Sequence, residues 1–281
     1  MTETIRKLVS ETIGRSGIEP SLATAPITLT GGLRTTIHVA AFPRDRTVVR
    51  VDAMRAPERV VDYCRHVGIP HAVVGGFFCR RSGKPLGTVR IPGRRVATEP
   101  FGKHWAGRRG AIYANGSDLR IGPVGGLPRR GGYLLTAGPA LVADGVSLVG
   151  SGSAYEGIPE TWQGELDDDW TGDRTQRTAV GYDDKRIWAV AVDGQSSQSM
   201  HGFHDEANPD AGIRLDELAQ IFIGLGARAP LNLDGGGGSA LVYDGELANC
   251  PRAGRYDVEP IGAVMRKGRP AYSMITFQPI S

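Results

Sequence analysis

The chain has 281 residues, of which 40% are hydrophobic and 22% are charged. These values are ordinary for a globular protein and allow one large domain or two small ones. A net charge of +3 does not require a nucleic-acid partner, and 40 glycines favour short strands and tight turns over a helical bundle.

The cysteines and the apolar runs exclude several further classes of protein. Three widely spaced cysteines without a Cys-x-x-Cys pair indicate neither a disulfide framework nor a zinc site. The first residues mix acidic and basic side chains and lack the apolar stretch of a secretory signal, and no apolar run approaches the length of a membrane span. We therefore expect a cytoplasmic protein that binds no membrane.

Pairs of adjacent arginines are the main feature of the charge pattern. They are either solvated loop side chains or an electropositive rim that attracts a phosphorylated substrate. A nucleic-acid groove is disfavoured, because no aromatic residues alternate with them. The pairs are Arg80-Arg81, Arg94-Arg95, Arg108-Arg109 and Arg129-Arg130.

The predicted elements begin with an amphipathic helix over residues 5–13, within a helical extension expected to cover residues 1–30. Residues 33–41 and 46–54 are rich in β-branched side chains and predict a hairpin. A second helix is predicted over residues 56–67, where Pro57 would occupy the first turn and Gly68 would end it.

The remaining pattern consists of short strands and one long helix. The helix, over residues 213–225, carries apolar residues on one face and ends at Gly226. A polar stretch at residues 151–176 is either a mobile loop near the site or a surface excursion. Strands are predicted at residues 71–78, 111–114, 133–136, 140–142, 146–149, 177–182, 187–192, 230–233, 242–243 and 272–277.

These elements predict an α+β fold of mixed, mostly antiparallel sheets of short strands with two or three packed helices. No long linker divides the chain, so we expect a single domain over residues 1–281.

The strongest candidate site is a predicted strand that ends at Asp234 and runs into a glycine-rich turn. Glycines accept positive φ and leave successive backbone N–H groups uncovered, which together form a nest for an anion. A carboxylate beside such a nest acts as an acid or base while the nest holds a phosphate; the alternative is a plain glycine-rich hairpin. The turn consists of Gly235, Gly236, Gly237, Gly238 and Ser239.

A second feature is Arg177 at the start of one predicted strand and Asp193 at the end of the next. A guanidinium in that place reaches into a cleft and binds a phosphodiester through two hydrogen bonds. Asp193 is alternatively a turn residue, because Asp before Gly is common in turns.

Two weaker features complete the candidates. In Gly75-Gly76-Phe77-Phe78, one of the two phenylalanines stacks on a sugar face, or both belong to the core. The stretch 201–206 (His-Gly-Phe-His-Asp-Glu) has side chains that bind metals, but its spacing matches no zinc pattern and a polar loop is the simpler interpretation.

Taken in chain order, four short blocks resemble the phosphodiester glycosidase family. Their order and spacing, over about residues 33–277, make the resemblance fairly specific. The blocks are 72–87 (Ala-Val-Val-Gly-Gly-Phe-Phe, then Gly-Lys-Pro-Leu-Gly), 177–181 (Arg-Thr-Ala-Val-Gly), 193–195 (Asp-Gly-Gln) with 212–219, and 232–237 (Asn-Leu-Asp-Gly-Gly-Gly) with Asp244-Gly245 and Pro251.

The resemblance implies hydrolysis of the anomeric C–O bond of a sugar 1-phosphodiester to a free sugar and a phosphomonoester. Asp234, Asp193 and Glu217 are then the candidate carboxylates that protonate the leaving oxygen and activate water, although Glu217 is alternatively a capping residue of its helix. The candidate substrate contacts are Arg177, Thr178, Gly75, Gly76, Phe77, Gln195, Gly235, Gly236, Gly237, Gly238 and Ser239.

The implied partner is a small anionic sugar phosphate, with an N-acetylglucosamine-type or nucleotide-linked sugar as the candidate substrate, in bacterial polysaccharide or natural-product metabolism. No nucleic acid and no cofactor are implied, while dependence on a divalent metal and the oligomeric state stay open.

Two residues depart from the family pattern. Val74 stands where the family has Asn, and Gly238 stands where it has the first Ser after three glycines. Removal of a neutral polar group that binds substrate in a buried site costs about 1–3 kcal/mol, which is enough to change substrate preference. The alternative hypothesis is therefore a non-hydrolytic binder, or a repurposed enzyme, that takes a phosphorylated saccharide or nucleoside.

Overall fold

The computed structural model describes residues 19–79, 82–101, 109–150, 172–195, 208–253 and 263–280. The predicted helix over residues 5–13, the stretch 201–206 and most of the polar stretch 151–176 lie outside these ranges.

The described residues contain eighteen strands and two α-helices. The helices are α1 (Val60–Val67) and α2 (Leu215–Leu225). In chain order the strands are β1 (Ser21–Thr28), β2 (Arg34–Pro43), β3 (Thr47–Glu58), β4 (His71–Val74), β5 (Phe78–Cys79), β6 (Lys84–Pro85), β7 (Val89–Arg90), β8 (Gly110–Asn115), β9 (Asp118–Pro123), β10 (Tyr133–Thr136), β11 (Val142–Ala143), β12 (Val146–Ser147), β13 (Arg177–Tyr182), β14 (Arg186–Val192), β15 (Leu231–Asn232), β16 (Leu241–Tyr243), β17 (Glu246–Leu247) and β18 (Ala271–Pro279).

Two five-stranded antiparallel sheets form the body of the fold. The first sheet has the strand order β1-β2-β14-β13-β15, and the second has the order β17-β16-β4-β18-β3. A four-stranded sheet, β7-β10-β8-β9, and two small strand pairs complete the described strands. The predicted mostly antiparallel α+β class is confirmed at this level, whereas the described residues hold two helices and a third is not seen among them.

The core lies on both faces of each large sheet. Successive side chains of a strand point to opposite faces, so Phe42 of β2 and Phe277 of β18 pack between the sheets, with ring centroids 4.4 Å apart. On the outer face of the first sheet, Trp188 of β14 packs in one cluster with Phe222 of α2. On the outer face of the second sheet, Val74 packs in one cluster with α1. The layers are therefore helix, sheet, sheet and helix.

The predicted hairpin of residues 33–41 and 46–54 is wrong, because its two strands belong to different sheets. β2 pairs with β1 and β14, whereas β3 pairs with β18. A turn after Pro43 carries the chain from one sheet to the other. β2 is buried along almost its whole length and β3 at about alternate positions in its first half, and both strands take distant strands as hydrogen-bond partners instead of each other.

Two helix predictions are also corrected. The helix predicted over residues 56–67 begins at Val60, because the chain as far as Glu58 continues β3. Pro57 is tolerated there because β3 is an edge strand, where an N–H on the open side is not needed for a hydrogen bond within the sheet. Within the helical extension predicted for residues 1–30, Ser21–Thr28 forms β1 instead, paired along its whole length with β2.

Packing of α2 on the first sheet yields a stability prediction. Replacement of Phe222, which is fully buried, by alanine is expected to lower the free energy of unfolding by about 3–5 kcal/mol, through reduced burial and a residual cavity. Urea unfolding followed by circular dichroism measures the change. Gln220→Ala, at an exposed position of the same helix, is the control and should change stability by less than about 0.5 kcal/mol; equal losses in both variants would contradict the described packing of α2.

Candidate active site

The antiparallel order of the first sheet gathers the predicted polar residues at one edge. The starts of β2 and β13 meet the ends of β14 and β15 there. Arg177 opens β13, Asp193 follows β14 and Asp234 lies two residues beyond β15. Adjacent strands are about 4.8 Å apart, so the backbones of Asp193 and Asp234 flank the start of β13 on its two sides.

Asp234 is held by its own backbone from both sheets. Its N–H donates to the carbonyl of Gly75, which follows β4, at 2.9 Å. Its carbonyl accepts the hydroxyl of Thr178 in β13 at 2.5 Å. The peptide groups on either side of the side chain are therefore fixed, and they set the direction of the Cα–Cβ bond of Asp234.

The Asp234 carboxylate has a partner on each oxygen. Oδ1 accepts the N–H of Gly235 at 3.0 Å, and Oδ2 lies 3.3 Å from Nη2 of Arg269. Arg269 also places its guanidinium carbon 5.0 Å from the ring centre of Phe78, a cation–π arrangement. The side chains of Asp234 and Arg269 are 11% and 15% exposed, so the pair reaches the surface.

Arg269 is not among the residues predicted from the sequence. It lies 35 positions beyond Asp234, in the turn before β18, and no known motif spacing connects the two. The sequence signal that points toward it is indirect, namely the fourth glycine of the turn, Gly238.

The glycine-rich turn satisfies most of its amide groups within the protein. The N–H of Gly236 donates to the carbonyl of Gln176, and those of Gly238 and Ser239 donate back to the turn at 3.1 and 3.0 Å. The Ser239 hydroxyl also donates to the turn, to the carbonyl of Gly236. The predicted anion nest at residues 235–239 therefore stays a prediction. These contacts favour a structural role for the turn, which holds Asp234 in place.

Asp193 is the centre of a second polar network. Its Oδ2 lies 2.8 Å from Nε2 of His38, and its Oδ1 accepts the N–H of Cys250 at 2.7 Å. His38 contacts the hydroxyl of Thr24 through Nδ1 at 3.0 Å. Both side chains of the His38–Asp193 pair are 6% exposed, so this carboxylate lies deeper than Asp234.

His38 is also absent from the sequence-based candidates, although a signal exists. It is the one ionisable side chain in the run Ile37-His38-Val39-Ala40-Ala41 of a strand that is otherwise apolar there. A buried histidine needs a hydrogen-bond partner, so a polar residue at the edge of the sheet could have been expected.

The segment 249–253 links Asp193 to Gln176, which also contacts the glycine-rich turn. Cys250 contacts Asp193, as described above, and the side-chain amide of Gln176 both donates to the carbonyl of Arg252 and accepts its N–H, at 2.9 and 2.6 Å. Gln176 also accepts the N–H of Gly236 through its backbone carbonyl. One buried glutamine therefore ties this segment and the glycine-rich turn to the start of β13.

Arg177 is 2% exposed and donates hydrogen bonds to backbone carbonyls. Nε donates to Ile213 at 3.2 Å and Nη2 donates to Asp173 at 3.1 Å. These bonds hold the chain before β13 against the chain before α2. Its role as the phosphate ligand stays a prediction, and this geometry favours a structural role.

Glu217 lies at the start of α2 and contacts two arginines. It accepts two hydrogen bonds from Arg174 and, through Oε2, the backbone N–H of Arg214 at 3.1 Å, which forms half of a capping box. Its side chain is 5% exposed. A catalytic role for Glu217 stays a prediction, whereas its capping and ion-pairing roles are visible in the structure.

Gly75 and Gly76 are glycines because other backbone approaches them closely. A Cβ on Gly75 would lie 2.8 Å from the carbonyl carbon of Ser273, and one on Gly76 would lie 2.4 Å from the carbonyl oxygen of Thr136. Gln195 donates to the carbonyl of Asn208 and is 4% exposed. Substrate contact by these residues stays a prediction.

The two phenylalanines of the early block have different environments. Phe77 is 5% exposed and packs with Leu86 and Phe101, near the guanidinium of Arg109. Phe78 is half-buried and contacts Arg269, which in turn pairs with Asp234. The structure therefore favours Phe78 over the predicted Phe77 as the aromatic residue beside the carboxylate.

Two of the three cysteines are poor nucleophiles. Burial and, to a smaller extent, the carboxylate of Asp52 raise the pKa of Cys64 to about 12. Burial and the nearby carboxylate of Asp193 raise the pKa of Cys250. Both thiols are therefore protonated at neutral pH, and a protonated thiol is a weak nucleophile.

A cavity of about 410 Å³ lies at the other end of the strands. Its lining includes Phe42 and Pro43 at the end of β2 and His71 at the start of β4, whereas the carboxylates lie at the start of β2 and the end of β4. Within the described ranges, no group of three or more His, Cys, Asp or Glu is placed to hold a metal ion, and neither helix is long and apolar enough to cross a membrane.

The geometry agrees with what comparison with known proteins shows. A model of the family described as phosphodiester glycosidase matches residues 68–264, which include Arg177, Asp193 and Asp234. The chain belongs to the phosphodiester glycosidase family.

Curated relatives include the bovine and human N-acetylglucosamine-1-phosphodiester alpha-N-acetylglucosaminidases. The bovine protein is 31% identical over 203 residues, which are 68% of this chain and 34% of the relative. The human protein is 31% identical over 188 residues, which are 63% of this chain and 32% of the relative. The chain thus matches about one third of the length of these relatives.

Solved structures share the fold. The zebrafish N-acetylglucosamine-1-phosphodiester alpha-N-acetylglucosaminidase catalytic domain, auto-inhibited by its pro-peptide, matches with a TM-score of 0.65 and 19% identity, over 94% of this chain and 84% of that one. A hypothetical protein from Synechocystis matches with a TM-score of 0.62 and 16% identity, over 92% and 62% of the two chains.

The structure separates the two departures from the family pattern. Val74 is fully buried in the outer core of the second sheet, in one cluster with α1. The sequence-based view that it removes a polar group from the site is therefore wrong. Gly238, in contrast, lies directly beside the Asp234–Arg269 pair.

The contacts of Glu217 predict a measurable effect on stability. Glu217→Gln removes the charge that partners Arg174 in a largely buried pair, and we expect a loss of about 2 kcal/mol in the free energy of unfolding. The control is Asp216→Asn, since Asp216 is half-exposed and pairs only with Arg214 among the described residues; its cost should stay below about 1 kcal/mol. Urea unfolding of both variants measures these changes. A Glu217→Gln variant as stable as the wild type would contradict the structural role of Glu217.

Proposed function

We propose that the chain hydrolyses the anomeric C–O bond of a sugar 1-phosphodiester, releasing a free sugar and a phosphomonoester. The observation that carries the proposal is Asp234, whose backbone is bonded to both sheets and whose 11% exposed carboxylate pairs with Arg269, in a chain of the phosphodiester glycosidase family. Hydrolysis at an anomeric carbon needs a positioned carboxyl group to transfer a proton or to attack the carbon.

Asp234 is the better candidate for direct contact with substrate. Its side chain is more exposed than that of Asp193, at 11% against 6%. Asp193, like Asp234, has a partner on each oxygen, and its partners are His38 and the Cys250 amide. We infer that Asp234 acts at the reacting bond and that Asp193 is the second carboxylate, oriented by His38.

The sugar is proposed from the names of the relatives. The bovine and human relatives are named for N-acetylglucosamine-1-phosphodiesters, so N-acetylglucosamine is the first sugar to test. A phosphate or nucleotide on the anomeric oxygen supplies the anionic group of the predicted partner. The cytoplasmic location and the place in bacterial polysaccharide or natural-product metabolism stay predictions.

The test is a sugar-release assay on a panel of 1-phosphodiesters that differ in the sugar and in the group beyond the phosphate, including UDP-linked N-acetylglucosamine. The wild-type chain should release free sugar, and Asp234→Asn should lower the rate at least about 100-fold, because the amide does not transfer a proton or attack the anomeric carbon as a carboxyl group does.

A matched control exists within the chain. Asp244 also precedes a glycine, and its side chain is 74% exposed in a turn. Asp244→Asn should leave sugar release within about two-fold of the wild-type rate. Tight binding of the diesters without release of sugar would favour the alternative of a non-hydrolytic binder, and full activity of Asp234→Asn would exclude Asp234 as the reacting carboxylate.

A further inference from the structure

Gly238 has no room for a side chain, and the atoms that fill the space are those of an ion pair. A Cβ added to Gly238 would lie 2.7 Å from Oδ2 of Asp234 and 2.8 Å from Nη2 of Arg269. These two atoms are also the ones that contact each other, at 3.3 Å. The glycine therefore lies directly under the point where carboxylate and guanidinium meet.

Backbone bonds hold the main chain of both residues of the pair close to the turn. The N–H of Arg269 donates to the carbonyl of Gly237 at 2.8 Å, so the residue is attached to the same turn. Asp234 is fixed by Gly75 and Thr178, as described above. A side chain at position 238 would therefore have to displace the carboxylate, the guanidinium or both.

The guanidinium of Arg269 also lies over an aromatic ring. Phe78 lies 5.0 Å from the guanidinium carbon of Arg269, and Tyr272 of β18 lies 4.7 Å from Phe78 between ring centres. The ring limits the space into which the Arg269 side chain could retreat. Gly238 and Phe78 are thus both close neighbours of the guanidinium.

We propose that Arg269 is a positioning residue that holds the Asp234 carboxylate in its reactive orientation, and that position 238 is glycine in this chain to make room for that pair. The inference rests on the proposed function, since it assigns the orientation of the same carboxylate. It also accounts for the departure from the family pattern at position 238, where a serine side chain would occupy the place of the pair.

The proposal predicts a specific pattern in catalysis. Arg269→Gln removes the charge that orients Asp234, and misplacement of a reacting group by about 1 Å lowers a rate about 100-fold. We therefore expect kcat on the best diester substrate to fall about 100-fold while KM changes less than about three-fold. Arg269→Lys retains a charge near the carboxylate and should recover part of the rate.

A double-mutant cycle tests whether Gly238 and Arg269 act together. Gly238→Ser should also lower kcat about 100-fold, because its Cβ displaces the pair. In the double variant the two losses should not multiply, since an ion pair that is already broken is not broken again. The same cycle is measured on the free energy of unfolding by urea, which needs no substrate.

Two control variants lie outside the proposed contacts. Arg266→Gln removes an exposed arginine from the same turn, and Gly122→Ser adds a Cβ at a position where nothing lies within 4 Å. Both should leave kcat and KM within about two-fold of the wild type.

The outcomes separate the inference from the proposed function. Failure of the wild-type chain to release sugar from every diester would overturn the proposed function and the catalytic role of Arg269, while the stability cycle would still decide whether positions 238 and 269 are coupled. Sugar release by the wild type combined with multiplicative losses in kcat, or with an unchanged kcat in Arg269→Gln, would overturn the inference alone.

Discussion

The arrangement of this molecule depends on the backbone of one residue, Asp234, which joins the two sheets. Its carbonyl accepts the hydroxyl of Thr178 in the first sheet, and its N–H donates to Gly75 at the end of β4 in the second. Gly75 in turn donates to Ser273 of β18, at a separation that allows no Cβ on the glycine. Since the same peptide units set the direction of the Cα–Cβ bond, the hydrogen bonds that join the two sheets at this edge also fix the place from which the candidate reactive side chain extends.

The parts of the fold that follow from local chemistry could be predicted from the sequence. The strand Arg177–Tyr182 and the helix ending at Gly226 are predictable because burial periodicity and a left-handed cap act within a few residues. The hairpin of residues 33–41 and 46–54 fails, since partner choice is non-local. β2 pairs with β14, more than 140 residues further on, and periodicity records that a strand is buried but not which strand covers it.

In the candidate site, too, residues with local sequence signals could be predicted and residues that depend on distant partners could not. Asp193 and Asp234 are identifiable because each follows a strand and precedes a glycine, a pattern that places a carboxylate at the end of a sheet. His38 and Arg269 are not, because their importance comes from partners 155 and 35 positions away. The role of Arg177 as a phosphate ligand stays a prediction. The start of a strand is a reasonable place for a phosphate ligand, but the structure shows its guanidinium bound to the carbonyls of Ile213 and Asp173.

A run of glycines in a sequence has three possible explanations. The first is a backbone with positive φ, the second is the need for uncovered amide groups, and the third is a lack of space for a Cβ. The sequence alone does not distinguish them. In this turn Gly236 has a φ of 57°, which is the first reason. Gly235 and Gly238 represent the third, since a Cβ would meet the carbonyl of Gln176 in one case and the Asp234–Arg269 pair in the other. An anion nest needs only the second reason, so the run supports it less than its length suggests. What the fourth glycine adds is space for a cation beside the carboxylate, and that changes the electrostatics around Asp234 rather than the number of amides that face it.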